Sequence, residues 1–208
     1  MNIFYLHEDV QTCAQQHVDK HVVKMILEYA QLLSTAHRVL DGEPMIGYTK
    51  TGRKQQQYKL DHDNDERLLY KATHMNHPSA IWCRENDKNY QWLADLLVAL
   101  CKEYTYRYGK VHKVERSGLM KKLVSKQPRN IKYGEWTEPT PAMPDEYKVP
   151  GDHLESYHNY YRGDKPRMFS WKKRETPDWI NTFVRKDKPT EQQSIIMENL
   201  NANLQFSQ

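Results

Sequence analysis

The sequence predicts a compact all-α fold, because its composition and its apolar periodicity both favour packed helices. Apolar residues make up 38% of the 208 residues, which is enough for a core, and charged residues make up 28%. Apolar side chains recur at three- and four-residue steps in two long stretches, residues 10–40 and 90–104. We expect a single helical domain over residues 1–185, followed by a C-terminal tail over 186–208 with a weak helix.

The first third of the chain predicts one long helix between two irregular segments. The apolar run Asn2–Leu6 suits a short N-terminal strand or an extended arm. Asp9 is a candidate N-cap for a helix over 10–40, which Asp41-Gly42 would end. The polar segment 43–64 contains Gly47, Gly52 and a run of glutamines, and it predicts a loop.

Further helices are predicted downstream, separated by turn signals. Pro78 suits the first turn of one helix, and Gly109 suits the end of the most apolar one. Gln127–Gly151 is rich in proline and predicts an irregular connector. The other predicted helices cover 65–71, 115–124 and 153–161, the last capped by Asp152 and ended by Gly163.

Charge and cysteine content indicate which partners and which cellular compartment the protein suits. The net charge of +4 and the isoelectric point near 8.8 permit a phosphate-bearing partner without requiring one. Three cysteines without a CxxC pair favour reduced, buried thiols, and hence a cytoplasmic location in a bacterial cell. The N-terminus lacks the pattern of a signal peptide, and no apolar run approaches the roughly 20 residues that span a bilayer. We therefore expect no membrane partner; oligomeric state cannot be predicted.

The predicted first helix carries a narrow polar stripe in an otherwise apolar surface. At roughly 100° per residue, five polar side chains fall within about 40° of one another. They are His17, His21, Lys24, Glu28 and Gln31. A helix this apolar is expected to be buried, so its stripe either lines a cleft or is simply the solvated side.

The stripe suits acid–base and anion chemistry better than a metal. Glu28 lies seven residues beyond His21, about 10 Å along a helix, so one ion cannot bind both. We expect no metal and no cofactor. A histidine can exchange a proton near neutrality, whereas Lys24 can act as an amine nucleophile or hold a phosphate. We predict His17, His21, Lys24 and Glu28 as the catalytic residues.

Two further segments, and Gln31, are candidates for substrate binding. The turn before the Pro78 helix carries His74, His77 and Ser79, and Arg84 follows. Free N–H groups at such a turn can receive an anion, although His77 can equally act as a helix cap. The second segment mixes aromatic and basic residues at the end of the apolar helix, which suits base stacking or a favourable helix dipole. It comprises Tyr104, Arg107, Lys110, His112 and Lys113.

Several short motifs give residues 1–113 a resemblance to a known family. Gln16-His17, Gly42, Asn76-His77-Pro78 and Arg107-Tyr108-Gly109 follow one another as in the small, helical pyrimidine-dimer DNA glycosylases of phages and microbes. The resemblance implies an all-α fold and attack of the N-terminal α-amine on a nucleotide's sugar carbon, assisted by a glutamate. It also implies strand cleavage by β-elimination through a Schiff base.

The match to that family is partial at the residues that would react. His17 matches the family histidine by its Gln-His context, and Glu28 stands for the glutamate at a longer spacing. Asn2 is too bulky for ordinary methionine removal, so we expect Met1 to be retained. Lys24 would then replace the α-amine, or the chemistry would be lost.

Three hypotheses follow for the function. The first is a phage-type enzyme that acts on DNA or a nucleotide, like a glycosylase or lyase. The second is a pocket that sequesters a nucleotide, for example a host immune signal in phage counter-defence. The third is a duplex DNA-binding module.

Overall fold

A computed structural model describes residues 1–48 and 51–181 of the chain. This part is mostly helical, as predicted, with one small two-stranded sheet. Its α-helices are α1 (Val10–Gln16), α2 (Asp19–Asp41), α3 (Asp63–Leu68), α4 (Pro78–Glu85), α5 (Asp87–Tyr108), α6 (Lys113–Arg116), α7 (Leu119–Ser125) and α8 (His153–Asp164). Its strands are β1 (Glu43–Tyr48) and β2 (Lys54–Lys59), and short 3-10 turns cover Asp145–Tyr147, Pro166–Met168 and Asp178–Ile180.

Residues Met1–Pro177 form one compact unit, and a second unit begins at Asp178. Of the second unit, the described residues comprise only the turn Asp178–Ile180 and Asn181. The predicted boundary at residue 185 and the predicted tail over 186–208 lie outside the described residues. No helix of residues 1–48 and 51–181 has the length and apolar character needed to cross a membrane.

The core of the first unit is built on α2 and α5, which pack against each other. The predicted periodicity of α5 is confirmed, since Leu93, Leu97 and Leu100 are fully buried. The Asn86 side chain accepts a 2.8 Å hydrogen bond from the Asn89 N–H at the start of this helix. Gly109 ends it with φ of 63°, the left-handed conformation that favours glycine.

The single helix predicted over 10–40 is wrong, because the chain breaks between α1 and α2. His17 and Val18 have extended backbone conformations with ψ of 134° and 154°. Side chains from distant parts of the chain donate hydrogen bonds to the backbone carbonyls at this break. Arg107 donates to the carbonyls of Gln15 and His17 at 2.8 and 3.0 Å, and Trp171 Nε1 donates to that of Gln16 at 2.8 Å. These donors stabilise a helix end that no local residue marks.

Arg107 also pairs with carboxylates on two helices. Its guanidinium donates to Glu103 on α5 at 2.6 Å and to Asp19 on α2 at 2.9 Å. Burial acts to raise the pKa of Glu103, but hydrogen bonds from Arg174 and Arg107 outweigh that effect and lower it. Arg107 thereby joins α1, α2 and α5 through one buried cation.

The loop predicted over 43–64 is also wrong, because its first part forms a β-hairpin. The strands β1 and β2 pair antiparallel, with Glu43 opposite Lys59 and Tyr48 opposite Lys54. Most of their side chains are exposed, so the alternation of buried and exposed residues that marks a strand is absent. The backbone ladder, rather than a buried face, specifies this pairing.

Smaller differences concern the ends of the short helices. The helix predicted over 65–71 is α3, which runs from Asp63 to Leu68, and that predicted over 115–124 is split into α6 and α7 at Gly118. The helix capped by Asp152 is confirmed, although it continues through Gly163 to Asp164. Residues 1–7 form an arm without regular secondary structure rather than a strand.

We predict that Arg107→Ala destabilises the protein strongly. Arg107 is 1% exposed, and its removal leaves the buried Glu103 with one ion-pair partner fewer. Breaking a buried pair typically costs about 3–5 kcal/mol, and the carbonyls of the α1–α2 break would lose donors as well. Urea unfolding followed by circular dichroism measures the loss, with the exposed Arg116→Ala as the matched control. A change below about 1 kcal/mol would contradict the assigned role.

Candidate functional site

A cavity of about 400 Å³ lies beside the N-terminal half of α2. Three parts of the chain form its walls: the N-terminal arm, α2, and the end of α8 with the turn that follows. The lining residues are Met1, Asn2, Phe4, Lys20, His21, Lys24, Met25, Glu28, Tyr160, Lys165, Arg167 and Met168. The volume is within the usual range for a small-molecule site, so we treat this cavity as the candidate site.

Hydrogen bonds to distant residues hold the N-terminal arm in place. The Asn2 side chain donates to the Ala142 carbonyl at 2.8 Å and accepts from the Tyr157 hydroxyl at 3.0 Å. The Phe4 N–H donates to the Tyr29 hydroxyl at 3.1 Å. Chain ends usually fray unless they are tied down in this way. The arm therefore forms a fixed wall of the cavity.

His21 forms part of the cavity wall as a buried, neutral imidazole. Its Nδ1 lies 2.5 Å from the Tyr161 hydroxyl, and its ring stacks on Phe4 with 4.2 Å between the centroids. Burial, and to a lesser extent nearby positive charge including that of Lys165, lowers the pKa of His21 to about 3. His21 is therefore uncharged near neutral pH, and its contacts with Tyr161 and Phe4 hold the cavity wall in place.

Lys24 and Glu28 form an ion pair at the edge of the cavity, one turn apart on α2. The Lys24 Nζ lies 3.0 Å from Glu28 Oε1. The Lys24 side chain is 67% exposed, whereas that of Glu28 is 14% exposed. The pair places an amine and a carboxylate, the group types used in nucleophilic and acid–base chemistry, side by side at the cavity.

The wall opposite α2 adds cations and an aromatic ring. Lys165 Nζ lies 4.4 Å from the centre of the Tyr160 ring and donates hydrogen bonds to the Asp164 carboxylate and the Tyr160 hydroxyl. With Lys20, Lys24 and Arg167, it gives the lining four basic side chains against one acidic side chain, Glu28. The site is therefore positively charged and suits an anionic ligand.

His17 lies outside the cavity, contrary to its predicted place on the stripe. It precedes the start of α2, so the helical spacing does not apply, and it is fully buried. Nδ1 donates to the Cys13 carbonyl at 2.7 Å, and Nε2 accepts from the Tyr29 hydroxyl at 3.1 Å. Burial lowers its pKa to about 4. His17 thus has a structural role between α1, α2 and the N-terminal arm.

The residues predicted around Pro78 do not line the cavity. His77 accepts from the Ser79 N–H at 3.2 Å and caps α4, and burial lowers its pKa. His74 is exposed, and Gln31 and Arg84 are half-buried. Ser79 is buried, and its hydroxyl has no hydrogen-bond partner among the described residues. The ligand-binding role predicted for this group stays a prediction.

The aromatic and basic residues at the end of α5 form a separate group. Arg107 is committed to the ion pairs described above, and His112 caps α6 by accepting from the Val114 N–H at 3.2 Å. Tyr104 packs edge-on against His112, with 5.2 Å between the ring centroids. Lys110 and Lys113 are exposed. None of these residues lines the cavity, although their predicted contact with a ligand is not tested.

Sequence reasoning missed half of the cavity, which the arm and the α8 region supply. The signal available was the density of aromatic and basic residues over 157–167. Nothing in that density indicates which part of α2 these residues face. Among the residues that the structure describes, no group of three or more His, Cys, Asp or Glu side chains could hold a metal ion.

Comparisons place no constraint on the assignment of the site. No family model, curated protein or solved structure matches the chain. The case for function therefore depends on the cavity itself.

We predict that the stability of the protein falls between pH 6.5 and pH 4 because His17 must stay neutral to remain buried. Its pKa is about 4 when folded and near 6.5 when unfolded, so in this window only the unfolded chain takes up the proton. The free energy of unfolding should fall by about 1.4 kcal/mol per pH unit from this one group. Above pH 7 the His17 side chain is neutral in both the folded and the unfolded chain, so it adds no further pH dependence to the stability.

Urea unfolding of the wild type and His17→Gln at several pH values measures this contribution. The variant is expected to be less stable at pH 7 but to show a shallower loss of stability towards pH 4. Parallel profiles for the two proteins would show that His17 titrates alike in the folded and unfolded states, against the prediction.

Proposed function

We propose that the cavity binds a nucleotide unit of DNA and that the Lys24–Glu28 pair reacts with its sugar as a glycosylase and lyase. The observation that carries the proposal is an amine and a carboxylate 3.0 Å apart on the wall of a positively charged cavity. The resemblance of residues 1–113 to pyrimidine-dimer glycosylases supports the same class of reaction.

The lining matches the parts of a nucleotide. Lys20, Lys165 and Arg167 supply positive charge for phosphate oxygens, and a guanidinium can hold two of them at once. Phe4 and Tyr160 supply aromatic surface for a base or sugar. A cavity of about 400 Å³ accommodates one nucleotide rather than a stretch of duplex, so the target nucleotide would leave the base stack.

The chemistry assigned to Lys24 begins with its neutral amine. Nζ bonds to C1′ of the sugar as the bond from C1′ to the base breaks, and Glu28 accepts the proton that Nζ releases on forming this bond. The base leaves with the electron pair and takes up a proton. Opening of the sugar ring, with a proton added to O4′, gives the imine, and β-elimination of the 3′ phosphate would follow.

The histidines have supporting roles in this proposal. His21 is neutral near pH 7, since its pKa is about 3, and it holds Phe4 against the cavity. His17 lies behind the wall and connects it to α1 through Tyr29. Both act as positioning residues, and proton transfer is left to Lys24 and Glu28.

A second candidate is binding of a nucleotide without reaction. It is favoured by the excess of cations in the lining and by the low pKa of His21, which removes one acid–base group near neutrality. The two candidates differ in the fate of the ligand. A sequestering pocket returns the nucleotide unchanged, whereas the enzyme releases a free base or cuts the strand.

Borohydride trapping on DNA that contains an abasic site tests the enzyme directly. The imine should be reduced to a stable protein–DNA adduct, and peptide mapping should place it on Lys24. Lys24→Arg keeps the charge but removes the nucleophile, so its adduct yield should fall at least ~100-fold. Glu28→Gln should slow trapping about 10- to 100-fold because it cannot accept the proton.

Lys20→Arg is the matched control, because it changes a neighbouring lysine of the same cavity in the same way. Its trapping should stay within about twofold of wild type. The proposal is overturned if wild-type protein gives neither an adduct with abasic DNA nor base release from modified DNA. An adduct on the α-amino group of Met1 would overturn the assignment of Lys24 as the nucleophile.

A further inference from the structure

Strand β1 of the hairpin has an outer edge that pairs with no other strand of the described residues. In that part of the chain the sheet consists of β1 and β2 alone. Ile46 is 70% exposed and Tyr48 is 63% exposed, although both side chains are large and largely apolar. A two-stranded hairpin on its own is only marginally stable in water, so it gains stability when a further strand is added to it.

The backbone groups of alternate β1 residues point towards this outer edge. In an antiparallel pair, opposite residues either exchange both hydrogen bonds or direct their N–H and C=O groups away from each other. Tyr58, opposite Pro44, is of the second type, because its carbonyl accepts a 2.9 Å hydrogen bond from the Arg38 side chain on α2. The register is regular, so the N–H and C=O groups of Ile46 and Tyr48 point outwards as well.

The outer edge of β2 is protected against pairing. This strand begins at Lys54 and ends at Lys59, both exposed, and Arg38 already binds the Tyr58 carbonyl. Lysines at a strand edge oppose the approach of another strand. Beyond Glu43, by contrast, β1 carries no charged side chain. Of the two edges of the hairpin, that of β1 is therefore the open one.

The open edge of β1 is complementary to itself about a twofold axis at Gly47. Antiparallel pairing of two copies around this axis sets Ile46 of each copy opposite Tyr48 of the other. Each of these two pairs can exchange both of its hydrogen bonds, and neither needs the N–H that Pro44 lacks. The same pairs pack a β-branched side chain against an aromatic ring, which is a favourable cross-strand contact. An axis at Ile46 would instead set Tyr48 opposite Pro44 and leave the Tyr48 carbonyl without a donor.

The charges of the hairpin suit this pairing. It brings Glu43, at the start of one β1, beside the 51–53 segment of the other copy, which carries Arg53. The exposed Lys54 side chains lie on the two outer strands of the combined sheet, about three strand spacings or roughly 14 Å apart. Their repulsion is largely screened, because the Debye length is about 8 Å at physiological ionic strength.

We infer that the protein forms a twofold homodimer through β1, in which two hairpins join into one antiparallel four-stranded sheet. A second copy is the partner that this edge fits, because one axis satisfies the hydrogen bonds, the apolar pairs and the charges together. The hairpin follows the C-terminal end of α2, whereas Glu28 lies about 20 Å back along that helix. The dimer therefore does not depend on the function proposed for the cavity.

Sedimentation equilibrium of the full chain at about 1–200 µM tests the dimer. A contact limited to two short strands is smaller than a standard interface of ~1,600 Å², so we expect a dissociation constant of about 10–100 µM. Ile46→Pro removes an outward N–H but none of the hairpin's own hydrogen bonds, so it should weaken the dimer at least ~10-fold. Gln56→Pro is the matched control, because Gln56 is opposite Ile46 and loses the corresponding N–H at the β2 edge. Its dissociation constant should stay within about twofold of wild type.

Disulfide cross-linking tests the position of the axis. Gly47→Cys should form a covalent dimer on mild oxidation, because the two Cα atoms at the axis would be about 4.5 Å apart, within the range for a disulfide. The added Cβ would meet the far end of the Gln57 side chain, which can move aside. Gln55→Cys is the control, since Gln55 is opposite Gly47 and would lie on the outer strand, too far from its copy to cross-link. The three native cysteines are buried.

A wild type that stays monomeric to about 200 µM overturns the inference. Equal weakening of the dimer by Ile46→Pro and Gln56→Pro also overturns it, as does equal cross-linking of Gly47→Cys and Gln55→Cys. Tyr48→Asp, at an exposed position, is a second edge variant that should weaken the dimer as strongly while its circular dichroism spectrum matches wild type. Borohydride trapping measures the proposed function separately, so either idea can fail while the other stands.

Discussion

The buried guanidinium of Arg107 holds together the part of the molecule from which the cavity is built. It binds carbonyls at the end of α1, the Asp19 carboxylate at the start of α2, and Glu103 within its own helix. Asp19 in turn accepts from the Ser170 hydroxyl and the Lys172 N–H. The direction of α2 as it leaves the break, and the place where the 165–172 segment meets it, follow from this one group. Since Lys24 and Glu28 lie within the next three turns, their position depends on it too.

Where local sequence determined the structure, it could be predicted. Three predicted features depend on residues that are close to one another in the chain, and all three are confirmed. They are the apolar repeat of α5, its end at Gly109 and the Asp152 cap of α8. The break at His17 and Val18 is different, because its hydrogen-bond donors are 90 or more residues away in the chain. A continuous apolar pattern across the break gave no sign of it. The hairpin was missed for another reason: a strand pair exposed on both faces lacks the alternation by which strands are recognised.

The same distinction explains the outcome at the site. His21, Lys24 and Glu28 share a turn-by-turn spacing, and the structure places all three in one cavity. Lys165 and Arg167 come from a segment about 140 residues away, so only packing reveals that they complete the opposite wall. His17 shows how a histidine that matches a family context can instead be buried with both ring nitrogens satisfied by neighbours. Its residue type was readable from the sequence, whereas its burial and its position ahead of α2 were not.

The anchored N-terminal arm has a practical consequence for handling the protein. Asn2 and Phe4 are hydrogen-bonded into the interior, and Met1 lines the cavity. Any polypeptide fused ahead of Met1 would emerge beside Lys24 and Glu28 and would compete with a ligand for the same space. Affinity tags and fluorescent labels are therefore better attached at the other terminus, and weak ligand binding by an amino-terminally tagged preparation would say little about the untagged protein.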